Sequence, residues 1–497
     1  MRDRIRYFSR GQIVEVAGFA PTTTLLDHLR LERKRLGTKE GCGEGDCGAC
    51  TVAIGRLEAG RVVYRPVNAC IQLLGQIDGA EIVTVEDLTG PDGALHPVQD
   101  AMVRHHGSQC GFCTPGIVMS LFTLYQEEGE ASRAAVLDRL AGNLCRCTGY
   151  RPIVDAALDA CGARPEAAPA DAFGAARAET ARALAGLADG IDLFVGTEQS
   201  FFAAPASIDS LANLLLAHPD ATILAGGTDV GLWVTKQLRS LPKIVHLGRV
   251  AGLDAIETTA EGLSIGATAT YAAAEAAIAA LDPDLGELLR RIGSTQVRAS
   301  GTVGGNVANG SPIGDTPPAL IALGATIELQ FGTEIRRLPI EDFFIAYGKQ
   351  DRRPGEFLRR ILVPRPGTND AFRAFKLSKR FDQDISAVMA AMRLTLDGRT
   401  ITAARIAFGG MAATPKRASA TEAALVGVSI DDEAAWLPAL DALSVDFQPI
   451  GDMRASATYR ATAARGLLTK GLIEIAGRPT AETRVIGHRE AGLERVA

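Results

Sequence analysis

The sequence contains no apolar run near the ~20 residues that a helix needs to cross a bilayer. Its net charge of −6 leaves no clustered Lys/Arg footprint for nucleic acid or an anionic membrane surface. There is no internal repeat, and no Walker A string, because Gly348-Lys349 is followed by Gln350. The opening residues, Met1-Arg2-Asp3-Arg4-Ile5-Arg6, lack the apolar stretch of a secretory signal, so a cytoplasmic protein is expected. Cysteine is absent beyond Cys161, whereas eight of the nine cysteines fall between residues 42 and 147. Without a signal peptide such cysteines read as metal ligands or reactive thiols rather than disulfides. The first third of the chain therefore carries a chemistry the rest does not.

A chain of 497 residues with 47% hydrophobic and 22% charged residues is an ordinary globular composition, too long for one core. The expected organisation is α+β and multidomain. Residues 1–87 read as a small α+β module: Arg6-Tyr7-Phe8 and Gln12–Val16 flank the hairpin signal Ser9-Arg10-Gly11. Thr22 is the expected cap of a helix through Leu25–Leu31, and short strands follow at 50–54, 62–64 and 81–85. Residues 88–165 read as helical, with helices expected from Thr114, over Arg133–Leu140 and over Ile153–Leu158. Residues 166–191, rich in Ala and charge without strong periodicity, read as a linker. Over 192–367 strand-like runs alternate with helices, an α/β pattern, and 368–480 reads as a smaller α+β module. Residues 481–497 are left as a tail.

The cysteines form two constellations. Cys42-x4-Cys47-x2-Cys50, with Cys70 twenty residues on, has the spacing of plant-type [2Fe–2S] ferredoxins. The interleaved glycines let backbone fold tightly around an anionic cluster, whereas zinc ribbons usually supply two C-x2-C knuckles. The second set, Cys110-x2-Cys113 with Cys145-x-Cys147, fits zinc or an iron–sulfur cluster equally well on spacing alone. Cys161 reads as a buried thiol. Residues 43–48 also match G-x-G-x-x-G, but no strand leads into them and Cys42 and Cys47 share the loop, so the dinucleotide reading fails. His105-His106 reads as a solvated pair, since adjacent helical residues do not share a face.

Two glycine loops mark the second half: Ile223-Leu224-Ala225-Gly226-Gly227-Thr228-Asp229-Val230-Gly231, and Thr302-Val303-Gly304-Gly305-Asn306, which continues to Ser311. Backbone without side chains lets N–H groups approach a pyrophosphate. Downstream of iron–sulfur motifs FAD suits them, because a flavin converts single electrons into a hydride.

At this point the sequence resembles a known family, the molybdenum-containing hydroxylases of the xanthine dehydrogenase type, over nearly its whole length. Gly41–Cys50 is similar to the family's first-cluster motif. Gln109–Gly116 together with Gly142–Tyr150 looks like its second, which implies [2Fe–2S] rather than zinc at Cys110, Cys113, Cys145 and Cys147. The resemblance implies a β-grasp ferredoxin-like domain, a four-helix [2Fe–2S] domain, an α/β FAD domain and an α+β C-terminal domain. It assigns residues 223–231 and 302–306 to FAD, with Asp315, Leu358 and Lys376 as further flavin contacts. Ile292 stands where relatives usually place an aromatic residue against the flavin. Tyr347 and Asp384 match positions bordering the nicotinamide of NAD⁺, and Gln109 and Cys147 match positions facing the molybdopterin of a neighbouring domain. The implied activity is that of a small subunit passing electrons from xanthine or hypoxanthine, oxidised at molybdenum on a partner chain, through two clusters and FAD to NAD⁺. Two copies of each chain are expected in the assembly. Alternatives are the equivalent subunit of an aldehyde or N-heterocycle hydroxylase, and a stand-alone electron-transfer flavoprotein.

Overall fold

A computed structural model describes residues 1–477 except 91–92, 128, 130 and 163–170. The expected tail at 481–497 lies outside the described residues. The chain divides into two compact units, Met1–Ala251 with Gly293–Gly301, and Gly252–Ile292 with Thr302–Ala497. The segment read as one FAD domain, 192–367, is thus shared between both.

The first unit begins with the predicted hairpin, Arg4–Ser9 against Gln12–Ala17 in antiparallel register. The sheet it joins has five strands, ordered Gln12–Ala17, Arg4–Ser9, Glu81–Val83, Thr51–Glu58, Arg61–Asn68. Strand alternation gives this sheet two buried faces. Ile5, Tyr7, Val52 and Ile54 point into one core with Leu25 and Phe202, while Phe8, Ala53, Val62 and Tyr64 point into another built from helices. The helix expected to be capped by Thr22 starts later. Thr24 caps Leu25–Asp27, accepting from the Asp27 amide at 3.0 Å, and the chain then widens into a π-helix over His28–Glu32. Buried His28, bonded to the Tyr7 hydroxyl at 2.9 Å, occupies that wider turn.

Four helices follow: Pro97–Arg104, Thr114–Tyr125, Arg133–Leu140 and Arg151–Gly162. Thr114–Tyr125 is buried from Gly116 onward, the central rod of the bundle. The expected linker is a correction: Ala172–Leu187 is a helix, capped by Asp171, whose carboxylate accepts from Gly174 N at 2.7 Å. Thr180, Leu184 and Leu187 lie at helical spacing on its buried face, a stripe that the many alanines around it dilute. Asp171 also accepts from buried His96 at 2.8 Å, which pins this helix to the bundle. The unit closes with a sheet ordered Leu193–Thr197, Ser200–Ala204, Lys243–His246, Thr222–Leu224, in which the last three strands run parallel.

The second unit holds an antiparallel sheet ordered Ile256–Thr258, Gly262–Gly266, Phe357–Pro364, Thr326–Phe331, Glu334–Pro339. A further antiparallel sheet, Asp370–Leu377, Val388–Asp397, Thr400–Gly409 and Lys416–Arg417, is covered by helices including Ala457–Ile475. Among the described residues no helix is long and apolar enough to cross a membrane.

One carboxyl sits badly in this fold. Glu81 is buried in the first sheet, with the Tyr64 hydroxyl donating to it at 2.7 Å, and burial pushes its pKa up to about 7. Its folded value lies above the unfolded value near 4.3. The fold therefore favours the protonated form, and stability falls as pH rises between the two values. Glu81→Gln should raise stability at pH 8.5 by about 2–3 kcal/mol and change it far less at pH 5. Thermal unfolding at the two pH values measures this, and equal shifts would contradict it.

Candidate functional site

The loop after the π-helix carries the first thiols. Cys42 and Cys47 are partly exposed, and Cys50 and Cys70 are buried with sulfurs 3.3 Å apart. The amides of Glu44 and Cys47 both point at the Cys42 sulfur, at 3.4 Å each. Hydrogen bonds from Cys47 and Cys70 pull the Cys42 thiol far below its ordinary range and push theirs up, as expected when several sulfurs crowd one point. The loop is a preformed cradle for negative sulfur.

The second set comes from two turns, one ahead of Thr114–Tyr125 and one ahead of Arg151–Gly162. Its thiols meet in two pairs, Cys110 with Cys147 and Cys113 with Cys145. Burial, then contact with Cys145, raises Cys113 to about 12. Cys145, in spite of burial, is held below the usual thiol range by Thr148, and its amide donates to the Tyr150 hydroxyl at 2.9 Å. Among the described residues no three His, Cys, Asp or Glu side chains are placed to hold a single metal ion. A [2Fe–2S] cluster asks for a different arrangement, two thiolates on each of two irons. Paired sulfurs suit it. Cys161 is buried, and His105 pairs with Asp159 at 3.0 Å, so neither joins a site.

The two thiol loops touch. The Leu144 amide, next to Cys145, donates to the Cys47 carbonyl at 3.0 Å, and Asn143 Nδ2 donates to the Gly48 carbonyl at 3.1 Å. Glycine is required at this contact: a Cβ on Gly48 would stand 2.2 Å from the Gly142 carbonyl oxygen, with φ at +69°.

The first glycine loop lies in the same unit and leans on the first thiol loop. Thr222–Leu224 leads into it and Val230–Thr235 follows. Among the described residues no partner takes the amides of Gly226, Gly227, Thr228 or Asp229, a run of donors suited to an anion such as a pyrophosphate. A Cβ on Gly226 would meet the Ser300 carbonyl oxygen at 2.0 Å, and one on Gly231 the Ile71 carbonyl oxygen at 2.5 Å. Lys236 then reaches back, its ammonium 2.7 Å from the Cys42 carbonyl and 3.3 Å from Glu44. Gln76 donates to the Ala225 carbonyl at 3.0 Å. Neither Lys236 nor Gln76 carries a motif that sequence reading could have used.

In the second unit, Thr302 caps Val303–Asn309, accepting from Gly305 N at 3.0 Å. Buried Asn306 Oδ1 has no hydrogen-bond partner among the described residues, as an atom awaiting a ligand donor would. Asp315 and Lys376, predicted separately, form one buried ion pair, and Ser386 takes the other carboxylate oxygen at 2.5 Å. Leu358 is buried in the Phe357–Pro364 strand, and Ile292 is half-buried just after Pro283–Arg290. Tyr347 is 75% exposed at the turn between Phe344–Ala346 and Lys349–Gln350. Asp384 accepts from the amides of Arg380 at 2.8 Å and Ile385 at 3.1 Å, so its carboxylate closes its own loop.

Four family profiles match in order: a 2Fe–2S iron–sulfur cluster binding domain over residues 8–71, a [2Fe–2S] binding domain over 84–158, the FAD binding domain in molybdopterin dehydrogenase over 197–366, and the CO dehydrogenase flavoprotein C-terminal domain over 373–475. The chain is 32% identical to xanthine dehydrogenase/oxidase of Rattus norvegicus over 82% of its own length, and 30% identical to aldehyde oxidase 3 of Mus musculus over 87%. It spans about a third of each, 34% and 36%. Among solved structures, a Cu,Mo-CO dehydrogenase chain is 30% identical at a TM-score of 0.51, covering 54% of this chain and 94% of its own. A chain of quinoline 2-oxidoreductase from Pseudomonas putida 86 is 28% identical at a TM-score of 0.51, covering 56% and 97%.

Proposed function

The chain belongs to the molybdenum hydroxylase family, of which it forms the iron–sulfur and FAD portion, and from that premise we propose that it is the electron-transfer subunit of a xanthine dehydrogenase. Cys42, Cys47, Cys50 and Cys70 would hold one [2Fe–2S] cluster and Cys110, Cys113, Cys145 and Cys147 the other, with FAD on the two glycine loops. When bound, these groups collect single electrons and deliver them in pairs to NAD⁺. The observation that carries the reading is contact within one compact unit. The second thiol loop bonds to the first through Leu144 and Cys47, and the first bonds through Cys42 to Lys236, at the end of the helix that follows the glycine loop. What the chain itself does is fix those loops against one another.

The proposed assembly has two copies of this chain and two of a molybdopterin-binding partner, and the surface at the second thiol set supports the partner. Gln109, Cys110 and Cys147 are exposed there, beside Phe112 and Leu144, which are 48% and 53% exposed. A stand-alone carrier would have little use for bare apolar side chains around an exposed metal site. The N-heterocycle alternative differs in chain organisation. The CO dehydrogenase and quinoline oxidoreductase chains are matched almost end to end by about half of this one, whereas the xanthine dehydrogenase and aldehyde oxidase matches each extend over more than four fifths of it.

The test is a division of labour. The FAD-loaded chain, purified alone, should reduce a dye with NADH and show no turnover of xanthine. Adding the molybdopterin-binding chain should give xanthine-to-NAD⁺ turnover. Xanthine turnover by partner-free protein would overturn the subunit assignment. Turnover of an aldehyde or quinoline but not xanthine in the complex would transfer it to a relative.

A further inference from the structure

Between the two thiol loops lies a buried polar knot that no cysteine or glycine motif includes. Gln296 is its centre, on the short helix Thr295–Ser300, and it is 1% exposed. Its Nε2 stands 3.0 Å from Asn143 Oδ1, 3.2 Å from Thr51 Oγ1 and 3.2 Å from Ser120 Oγ. Each partner has its own bond to the loops or to another partner. Thr51 Oγ1 donates to the Gly48 carbonyl at 2.7 Å, Asn143 Nδ2 donates to the same carbonyl at 3.1 Å, and Ser120 Oγ donates to Asn143 Oδ1 at 2.6 Å. With those protons spent, all three oxygens present lone pairs to the one amide nitrogen that faces them, and they share its two protons. The network has a single consistent direction.

Its position matters more than its size. Gly48 follows Cys47, and Asn143 precedes Leu144 and Cys145, so the knot fastens the residues on either side of the Leu144–Cys47 hydrogen bond. The approach leaves no slack: a Cβ on Gly116 would lie 2.1 Å from the Gly48 carbonyl oxygen, and one on Gly142 would lie 2.0 Å from Gln296 Oε1. That Oε1 is buried with no partner among the described residues. A leucine would fill the space without an unpaired acceptor, so the retained amide points to a task for its nitrogen. The helix carrying Gln296 is anchored at its start, where Thr295 and Arg298 bind Asp138 at 3.2 Å and 3.0 Å. At its end, the Ser300 carbonyl abuts Gly226 in the first glycine loop.

We infer that Gln296 is a positioning residue for electron transfer between the two clusters, holding the Cys47–Gly48 turn and the Asn143–Cys145 turn at one fixed separation. The inference rests on the proposed two-cluster reading. Transfer between fixed centres depends steeply on separation and on the bonds that bridge it. A side chain that locks the bridge sets the rate without touching either cluster.

The test uses the full chain with clusters and FAD loaded. Iron content and the separate paramagnetic signals of the two clusters are measured first; their absence in the parent protein would defeat the two-cluster reading rather than this inference. Gln296→Leu should then keep both signals and its FAD, weaken the magnetic splitting between the clusters, and slow electron redistribution between them several-fold after rapid one-electron reduction. Unchanged splitting and rate, with both clusters full, would overturn the inference. Should the leucine variant lose a cluster, Gln296→Met, unbranched and close in volume, decides on the same two readouts. Cluster loss in both variants would make Gln296 a structural support and overturn the positioning role.

Discussion

Cys47→Ser should remove the paramagnetic signal of one cluster and leave the other, lowering iron from about four to about two per chain. Cys113→Ser should do the reverse. The expectation rests on separate construction. Cys42, Cys47 and Cys50 ride on one loop and Cys70 follows the Arg61–Asn68 strand, while Cys110 and Cys113 precede Thr114–Tyr125 and Cys145 and Cys147 precede Arg151–Gly162. The bonds that join the two loops are made by backbone carbonyls at Cys47 and Gly48, which a serine preserves. What changes is the ligand atom, a poor match for iron that prefers thiolate. Paramagnetic resonance of the reduced protein with iron analysis reads the result. Loss of both signals from folded, FAD-replete protein would show that the sites are not independent.

Gly226→Ala should strip the protein of nearly all its FAD while iron content stays at the parent value. The added methyl carbon would lie 2.0 Å from the Ser300 carbonyl oxygen and 2.9 Å from Gly301 Cα. Both obstacles are backbone, so no rotamer change relieves the overlap, and the loop with its unpaired amides must move. Thiol loops gain no contact from the change. Gly466, in the helix Ala457–Ile475, is the control: a Cβ there meets nothing within 4 Å, and Gly466→Ala should retain FAD and gain about 1 kcal/mol in helix propensity. Flavin absorbance and iron per chain separate the outcomes. Full flavin in Gly226→Ala would remove this loop from the FAD site.

The sequence carried the parts of the fold that depend on local pattern. The Ser9-Arg10-Gly11 hairpin, the Arg133–Leu140 helix and the strand from Thr51 lie where alternation and turn residues put them. The cysteine sets were legible because a cluster's ligands must recur at short spacings on tight loops. The helix Ala172–Leu187 was not, because alanine satisfies helix propensity without marking a face, and three buried side chains are a faint stripe. The grouping of Gly293–Gly301 with the first unit was beyond reach for another reason. Gln296 bonds to Thr51 across 245 positions, and no pattern within either segment announces the other. Asp384 shows another limit: no local pattern announces that its carboxylate accepts from the Arg380 and Ile385 amides.

The central strands of the first sheet are covered on both faces, and that ties the N-terminal module to its neighbours. A free-standing ferredoxin could be cut out and expressed; residues 1–87 of this chain could not. Excision would bare Phe8, Ala53, Val62 and Tyr64, all at most 5% exposed in the intact protein, whereas Ile5, Tyr7, Val52 and Ile54 would keep the module's own Leu25, Leu29 and Leu73 and lose Phe202. Such a fragment would collapse into aggregates before it could assemble a cluster, and a gene fusion or domain exchange at residue 87 would fail with it. The smallest piece that keeps both faces of those strands covered includes the helical bundle.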